Sequence, residues 1–306
     1  MSTIISFCLI VLQLGLAVMP ANQLISQASS AATKQLKKVP IVAHDKVSPS
    51  EYRPVAIKNG NAAAPIQAKA ALIYDVNSAQ ILAERNATEK IPVASLAKIV
   101  TATIILQNHQ KDDIVTIPNN LTVGTDVQGI GVKPGEQFTV HEALRALLVY
   151  SAGDMAEALA IWDAGSTAAF AEKMNTAART WQLQNTRFTN PIGLDDPNQY
   201  SSARDLLTLT LITLHSPEFR TIINTQRANV KNTAGKIYAV NNTNELLAVP
   251  YIYGVKTGTT ADAGETLITL ARQQNHEIIC IVLNSPNRFQ ETKNMVDWAF
   301  ANYIWK

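Results

Sequence analysis

The chain has 306 residues, 47% of them hydrophobic and 16% charged, with a formal net charge of +2 at pH 7. That apolar share is enough for one large core and excludes disorder over most of the length. A charge this small, with no cluster of Lys and Arg interleaved with aromatics, speaks against nucleic acid as a partner.

Residues 4–19 form an almost unbroken apolar run, and small residues follow, with Ser26 and Ala28 spaced as in a signal-peptidase site. Residues 1–28 therefore read as an export signal or N-terminal anchor, although Met1-Ser2-Thr3 supplies no Lys or Arg. Of the two cysteines, Cys8 lies inside this run and Cys280 inside an apolar segment. A processed chain keeps a single thiol, which rules out an internal disulfide framework and makes Cys280 a small buried residue. Residues 29–67 are rich in Ala, Ser, Lys, Pro and Asn and show no sustained period, the pattern of a flexible tether. Lys34, Lys37, Lys38, Lys46 and Lys58 suit a solvated spacer first, and secondly an attraction to an anionic wall or membrane surface. The functional domain is left as 68–306.

Within it, residues 70–76 and 80–84 are two short apolar runs around Asn77-Ser78-Ala79, the pattern of a hairpin. Pro92 opens a helix over 94–107 whose apolar residues face nearly all round, the mark of a buried helix. Residues 140–150, 154–163, 166–182 and 202–214 carry apolar positions three or four apart, with Ser or Asp at several starts, and read as helices. Residues 266–271 and 277–283 read as strands that pair antiparallel, and a closing helix over 288–304 offers Met295, Trp298, Ala299 and Ile304 as its apolar face. Strands near both ends with helices between them predict a mixed α+β or α/β class: one sheet built from the two chain ends and covered by helices. A doubly wound nucleotide-binding fold fits badly, because no Gly-rich loop follows a first strand.

Three elements carry chemistry. Ser95-Leu96-Ala97-Lys98 sets a hydroxyl and an amine on one face at the start of the buried helix, a pair that could serve as nucleophile and base, although the spacing alone also arises by chance with an ordinary helix lysine. A lysine acts as a base only with its pKa lowered, and burial, a helix N-terminus and a nearby cation all lower it. Ser151-Ala152-Gly153-Asp154 lies at a junction of two helices, and taken alone reads as a helix stop followed by an Asp cap. Lys256-Thr257-Gly258-Thr259 follows a strand-like approach and combines a cation, two hydroxyls and a glycine, so it looks like a carboxylate-binding edge. The five histidines, His44, His109, His141, His215 and His276, have no ligand-like spacing, and metal catalysis is not expected.

Taken in this order, Ser-x-x-Lys, a Ser-x-Asn type element and Lys-Thr-Gly form the signature of penicillin-binding proteins and class A β-lactamases. The chain resembles the low-molecular-mass penicillin-binding proteins of the D-alanyl-D-alanine carboxypeptidase family over roughly residues 70–303. The likeness includes Gly131-Val132-Lys133-Pro134-Gly135-Glu136, Thr189-Asn190-Pro191, Tyr200-Ser201-Ser202-Ala203-Arg204-Asp205 and Gly254-Val255-Lys256-Thr257-Gly258. The resemblance implies the β-lactamase and penicillin-binding fold, an antiparallel sheet flanked by helices plus a helical subdomain, with the site in the cleft. It implies Ser95 as the acylated nucleophile, Lys98 as its base and Ser151 as a proton relay to the leaving amine. Gly153, Lys256, Thr257, Gly258 and Thr259 then line the substrate site, and the N–H groups of Ser95 and Thr259 form the oxyanion hole. The implied partners are the peptidoglycan stem peptide and β-lactam antibiotics as covalent inhibitors, without cofactor, in an extracytoplasmic setting at the bacterial envelope.

Two departures stand out. Gly153 occupies the place where the family usually has Asn, so the side-chain amide that would bind Lys98 and the substrate carbonyl is missing, and water or Asp154 is left to fill the role. The chain also ends soon after the final helix, without the C-terminal β domain and amphipathic anchor of many relatives, so membrane attachment is expected through the N-terminus. A β-lactamase is the nearest rival reading, weakened by the absence of a Glu-x-x-Leu-Asn loop between Ser151 and Lys256. A wall-binding homologue with impaired catalysis is the other, suggested by Gly153 alone.

Overall fold

The computed structural model describes residues 54–56, 63–124 and 127–305. The readings made for 1–28 and for most of 29–67 lie outside these residues. Pro54–Ala56 forms a short strand, β1, inside the stretch whose composition showed no period.

The centre of the molecule is a five-stranded antiparallel sheet. Its strands are β2 (Ala70–Asp75), β3 (Gln80–Arg85), β8 (Ile252–Thr260), β9 (Gly264–Gln273) and β10 (His276–Ser285), in the spatial order β3-β2-β10-β9-β8. The hairpin β2–β3 thus joins the late strands β8, β9 and β10 through the pairing of β2 with β10, with Cys280 opposite Ile73 and Thr269. Both faces of the sheet are covered, which explains why β2 reads as an apolar run without alternation. Ala71, Ile73, Cys280 and Val282 belong to one buried cluster, together with Met295, Val296 and Ala299 of the helix Arg288–Asn302. Leu72, Tyr74, Ile279 and Ile281 belong to the other, beneath the helical layer.

That layer consists of α1 (Lys98–Asn108), α2 (Val140–Val149), α3 (Gly153–Ala164), α4 (Thr167–Thr180), α5 (Ala203–Leu214) and α6 (Pro217–Ile223); Arg288–Asn302 is α7. α1 runs through its middle, touching α2, α3, α4 and α5, with Ile99, Val100, Ala102, Ile104 and Ile105 fully buried. Its starting point differs from the expectation. Residues Ala94–Ala97 form a 3-10 turn, and the α-helix proper begins at Lys98. Three small antiparallel pairs complete the fold: β4 (Ile114–Thr116) with β5 (Gln137–Thr139), β6 (Arg227–Lys231) with β7 (Ile237–Asn241), and β1 with β11 (Tyr303–Trp305).

α7 stops at Asn302, short of the expected 304, because the aromatic and β-branched run Tyr303-Ile304-Trp305 pairs with β1 instead. Ile304 therefore lies off the helix and 41% exposed, while Met295 and Ala299 hold the apolar face as expected. Glu291, in the first turn of α7, accepts hydrogen bonds from the backbone N–H groups of Gln67 and Ala68, at 2.6 and 2.7 Å, and from Ser285 Oγ. It fastens the start of the domain to its last helix. β6 to β7 and α6 were not expected, although Ser216-Pro217-Glu218 carries a helix-start signal: Ser216 Oγ accepts from the Phe219 N–H, and Pro217 opens the helix.

Candidate active site

Ser95 sits in the 3-10 turn, between a buried Ala94 whose φ is +49° and the head of α1. A 3-10 turn has three residues per turn, so side chains three apart stand directly above one another. Lys98 Nζ accordingly lies 2.8 Å from Ser95 Oγ. It also donates to the carbonyl of Ile192 at 2.7 Å. One N–H is spent on Ile192, so a neutral amine keeps a lone pair for the serine proton.

Burial is the main force on that amine. Lys98 is 1% exposed, and burial holds it at about 7, well below the ordinary lysine range, although the Asp154 carboxylate pulls the other way. An amine that titrates near neutrality is suited to taking a proton from an alcohol. Lys256 is equally buried and lies lower than an ordinary lysine, first through burial and then through the charges of Lys98 and Arg288. The two ammonium groups, 158 positions apart, thus share one electrostatic site.

Backbone fit brings the edge strand β8 onto Ser95. A Cβ on Gly258 would stand 3.0 Å from the Ser95 nitrogen and 2.5 Å from Thr266 Oγ1, so only a glycine lets β8 lie this close. On the other side, Gly193 has φ +93°, and a Cβ there would fall 1.9 Å from the Ala94 carbonyl. The loop carrying Gly193 is rigidly held. Gln199 Oε1 accepts from the N–H groups of Thr189 and Asn190, Asn190 Oδ1 accepts from those of Gly193 and Leu194, and Thr101 Oγ1 donates to the Pro191 carbonyl. The Thr189-Asn190-Pro191 motif therefore has a physical task, which is to hold the Ile192 carbonyl against Lys98.

On β8, Lys256 Nζ donates to the Thr257 carbonyl at 3.0 Å, and the Thr257 hydroxyl pairs with Thr243 Oγ1 at 2.5 Å. Thr259 is exposed, and its hydroxyl donates to the Gly258 carbonyl. Beside it stands a residue that sequence reasoning missed. The Arg288 guanidinium donates to the Gly258 carbonyl at 3.0 Å and to Thr259 Oγ1, while its buried Nε–H has no hydrogen-bond partner among the described residues. In the sequence, Arg288 was visible only as the first residue of the closing helix. Two cations at one strand edge suit a carboxylate.

The third element enters at the turn between α2 and α3. Ser151 is 7% exposed and adopts a left-handed φ of +66°, a conformation that is costly for a serine, about 1–3 kcal/mol, and that tends to occur at functional positions. Two residues on, a Cβ at Gly153 would stand 3.2 Å from Ile192 Cγ2, which borders the Lys98 acceptor. Gly153, read as lining the substrate site, donates its N–H to the Gln128 carbonyl at 2.7 Å. Asp154 is fully engaged elsewhere: its carboxylate accepts from the N–H groups of Ile130, Gly131 and Val132, and from its own neighbour Met155. It does not stand in for the missing amide. Among the described residues, no group of three or more His, Cys, Asp or Glu side chains gathers as a metal site would require.

The family described as D-alanyl-D-alanine carboxypeptidase matches residues 57–287. The chain is 33% identical to the D-alanyl-D-alanine carboxypeptidase DacC of Escherichia coli over 250 residues, 77% of this chain and 62% of that protein. It spans about three fifths of the length of the curated relatives first matched, 62% and 63%. Among solved structures, the Streptomyces K15 DD-transpeptidase superposes with a TM-score of 0.72 at 28% identity, covering 77% of this chain and 98% of that one. The ampicillin-bound penicillin-binding protein D2 of Listeria monocytogenes superposes at 0.67 and 28% identity, covering 76% and 97%.

Proposed function

The chain belongs to the D-alanyl-D-alanine carboxypeptidase family, and from that premise we propose that it removes the terminal D-alanine of peptidoglycan stem peptides through a Ser95 ester. The observation that carries this reading is the contact of 2.8 Å between Ser95 Oγ and a buried Lys98 amine held at about 7.

In the proposed reaction the substrate's terminal carboxylate lies on Lys256 and Arg288 at the edge of β8, with Thr257 and Thr259 beside them. Ser95 Oγ attacks the penultimate carbonyl as its proton passes to Lys98 Nζ. The N–H groups of Ser95 and Thr259 receive the developing oxyanion, worth about 3–4 kcal/mol for a well-placed donor. The C–N bond then breaks, and D-alanine departs with a proton relayed from Lys98 by Ser151. Water cleaves the ester in a second step and restores Ser95. A β-lactam enters the same path, but its leaving nitrogen stays tethered to the acyl group, so the adduct persists.

The setting that goes with this chemistry is outside the cytoplasm, with residues 1–28 acting as the export signal or anchor and the part of 29–67 that precedes β1 as the tether. No helix of the described residues is long and apolar enough to cross a membrane.

Incubation with a pentapeptide ending in D-Ala-D-Ala should release free D-alanine, and intact mass after benzylpenicillin treatment should show one adduct that Ser95→Ala abolishes. Formation of an amine-acceptor product alone would overturn the hydrolytic assignment. Rapid turnover of penicillin would favour the β-lactamase reading instead.

A further inference from the structure

Gly153 leaves a gap that something else fills. A Cβ built there would meet Val127 Cγ1 at 2.2 Å and Gln128 O at 3.3 Å, so the 127–132 loop lies where a side chain at 153 would otherwise stand. The loop is fastened from both sides. Gln128 accepts the Gly153 N–H at 2.7 Å and donates its side-chain Nε2 to the Tyr150 carbonyl at 2.9 Å. Asp154 accepts from the next N–H groups, that of Gly131 at 2.7 Å, and Gly129 lies so close that a Cβ on it would stand 2.6 Å from the Asp154 carboxyl carbon.

The consequence is a contiguous apolar wall. Val127 covers Gly153, Gly153 abuts the Ile192 side chain, and the Ile192 carbonyl holds Lys98. On this wall the Gln128 carbonyl is spent on the Gly153 N–H, the Ile192 carbonyl on Lys98, and the carboxylate of Asp154 on the loop. An acyl group lying between Ser95 and this wall meets an isopropyl group where a donor would be needed to receive a side-chain amide carbonyl. A polar group pressed against apolar surface without a partner forfeits its water and gains nothing, whereas a site that supplies a donor discriminates strongly in favour of it.

Resting on the reading that Ser95 is acylated, we propose that Val127 is a specificity-determining residue: it makes the acyl side of the site indifferent to an amide carbonyl on the donor and leaves recognition to the carboxylate end at Lys256 and Arg288.

The test compares acylation by benzylpenicillin, which carries an acylamido side chain, with acylation by 6-aminopenicillanic acid, which lacks it. Rate constants are read by intact mass for the full chain and for Val127→Asn and the near-isosteric Val127→Thr. The parent protein should react with the two compounds at rates within about threefold of each other. Either variant should raise the rate for benzylpenicillin at least about tenfold relative to the other compound, because each places a donor in the wall. A parent protein that already prefers benzylpenicillin more than about tenfold, or folded variants whose ratio stays unchanged, would overturn the assignment. If neither compound acylates any form, the underlying acyl-enzyme reading fails instead, so the two failures are distinguishable.

Discussion

Lys98 is the residue on which the proposed chemistry turns. Its folded pKa of about 7 lies below the ordinary lysine value, so the folded chain gives up this proton before the unfolded chain does. The sign of the resulting pH dependence follows: below about 7 the amine is protonated and cannot accept the Ser95 proton, and above it the base is ready. Penicillin acylation should therefore rise about tenfold per pH unit up to near 7 and then level off. A rate that stays flat between pH 5.5 and 8, measured by quenched-flow mass spectrometry, would show that Lys98 is not the base. The same shift destabilises the fold on the acid side, since burying the charged amine costs free energy that is relieved as pH rises from 7 towards the unfolded value. Lys98→Arg, always charged, should lose acylation by at least about a thousandfold, because guanidinium accepts no proton.

At the scale of elements, the site depends on close approaches that glycine alone permits and on a loop tied to a helix start. Gly258→Ala would drive a methyl group against the Ser95 nitrogen, 3.0 Å away, and force β8 or the 3-10 turn to shift. Misplacement on that scale should lower acylation about a hundredfold, with an overpacking cost of about 1–3 kcal/mol in urea unfolding. Near-normal acylation by that variant would mean that the edge of β8 does not border the reacting carbonyl. Asp154 is a second such point. It is 6% exposed and receives four backbone N–H groups, three of them from the 130–132 segment. Asp154→Ala should cost about 2–4 kcal/mol and release amide exchange at Ile130, Gly131 and Val132, and protection that persists there would refute the clamp.

For the molecule as a whole, the central sheet lies between two buried clusters and supports both of them. Cys280 reports on it. The residue is fully buried at the centre of β10, and burial pushes its thiol far above the ordinary value. In native protein it should resist a thiol reagent, with labelling appearing only as fast as the sheet unfolds. Fast labelling under native conditions would show that β10 opens locally. Ile281→Ala on the neighbouring face should cost about 2–5 kcal/mol, since it removes a fully buried side chain between two packed layers.

The sequence by itself determined the class of the fold, most of the helices, the antiparallel strands near both ends and the three motifs, because apolar period, turn residues and local spacing are written along the chain. The spacing of Ser95 and Lys98 was visible in the chain but is too common to stand alone, and only the resemblance pointed to the activity proposed for them. Only the tertiary structure decided what those residues meet. The Ile192 carbonyl beside Lys98, the shared field of Lys98 and Lys256, and Arg288 at the strand edge are contacts across 94, 158 and 30 positions. No local pattern encodes them. The same is true of Gly153: in sequence it is an absence, and in space it is filled by Val127 from 26 positions earlier. Burial sets the pKa of an amine and packing sets what stands beside it, and both are properties of the folded chain.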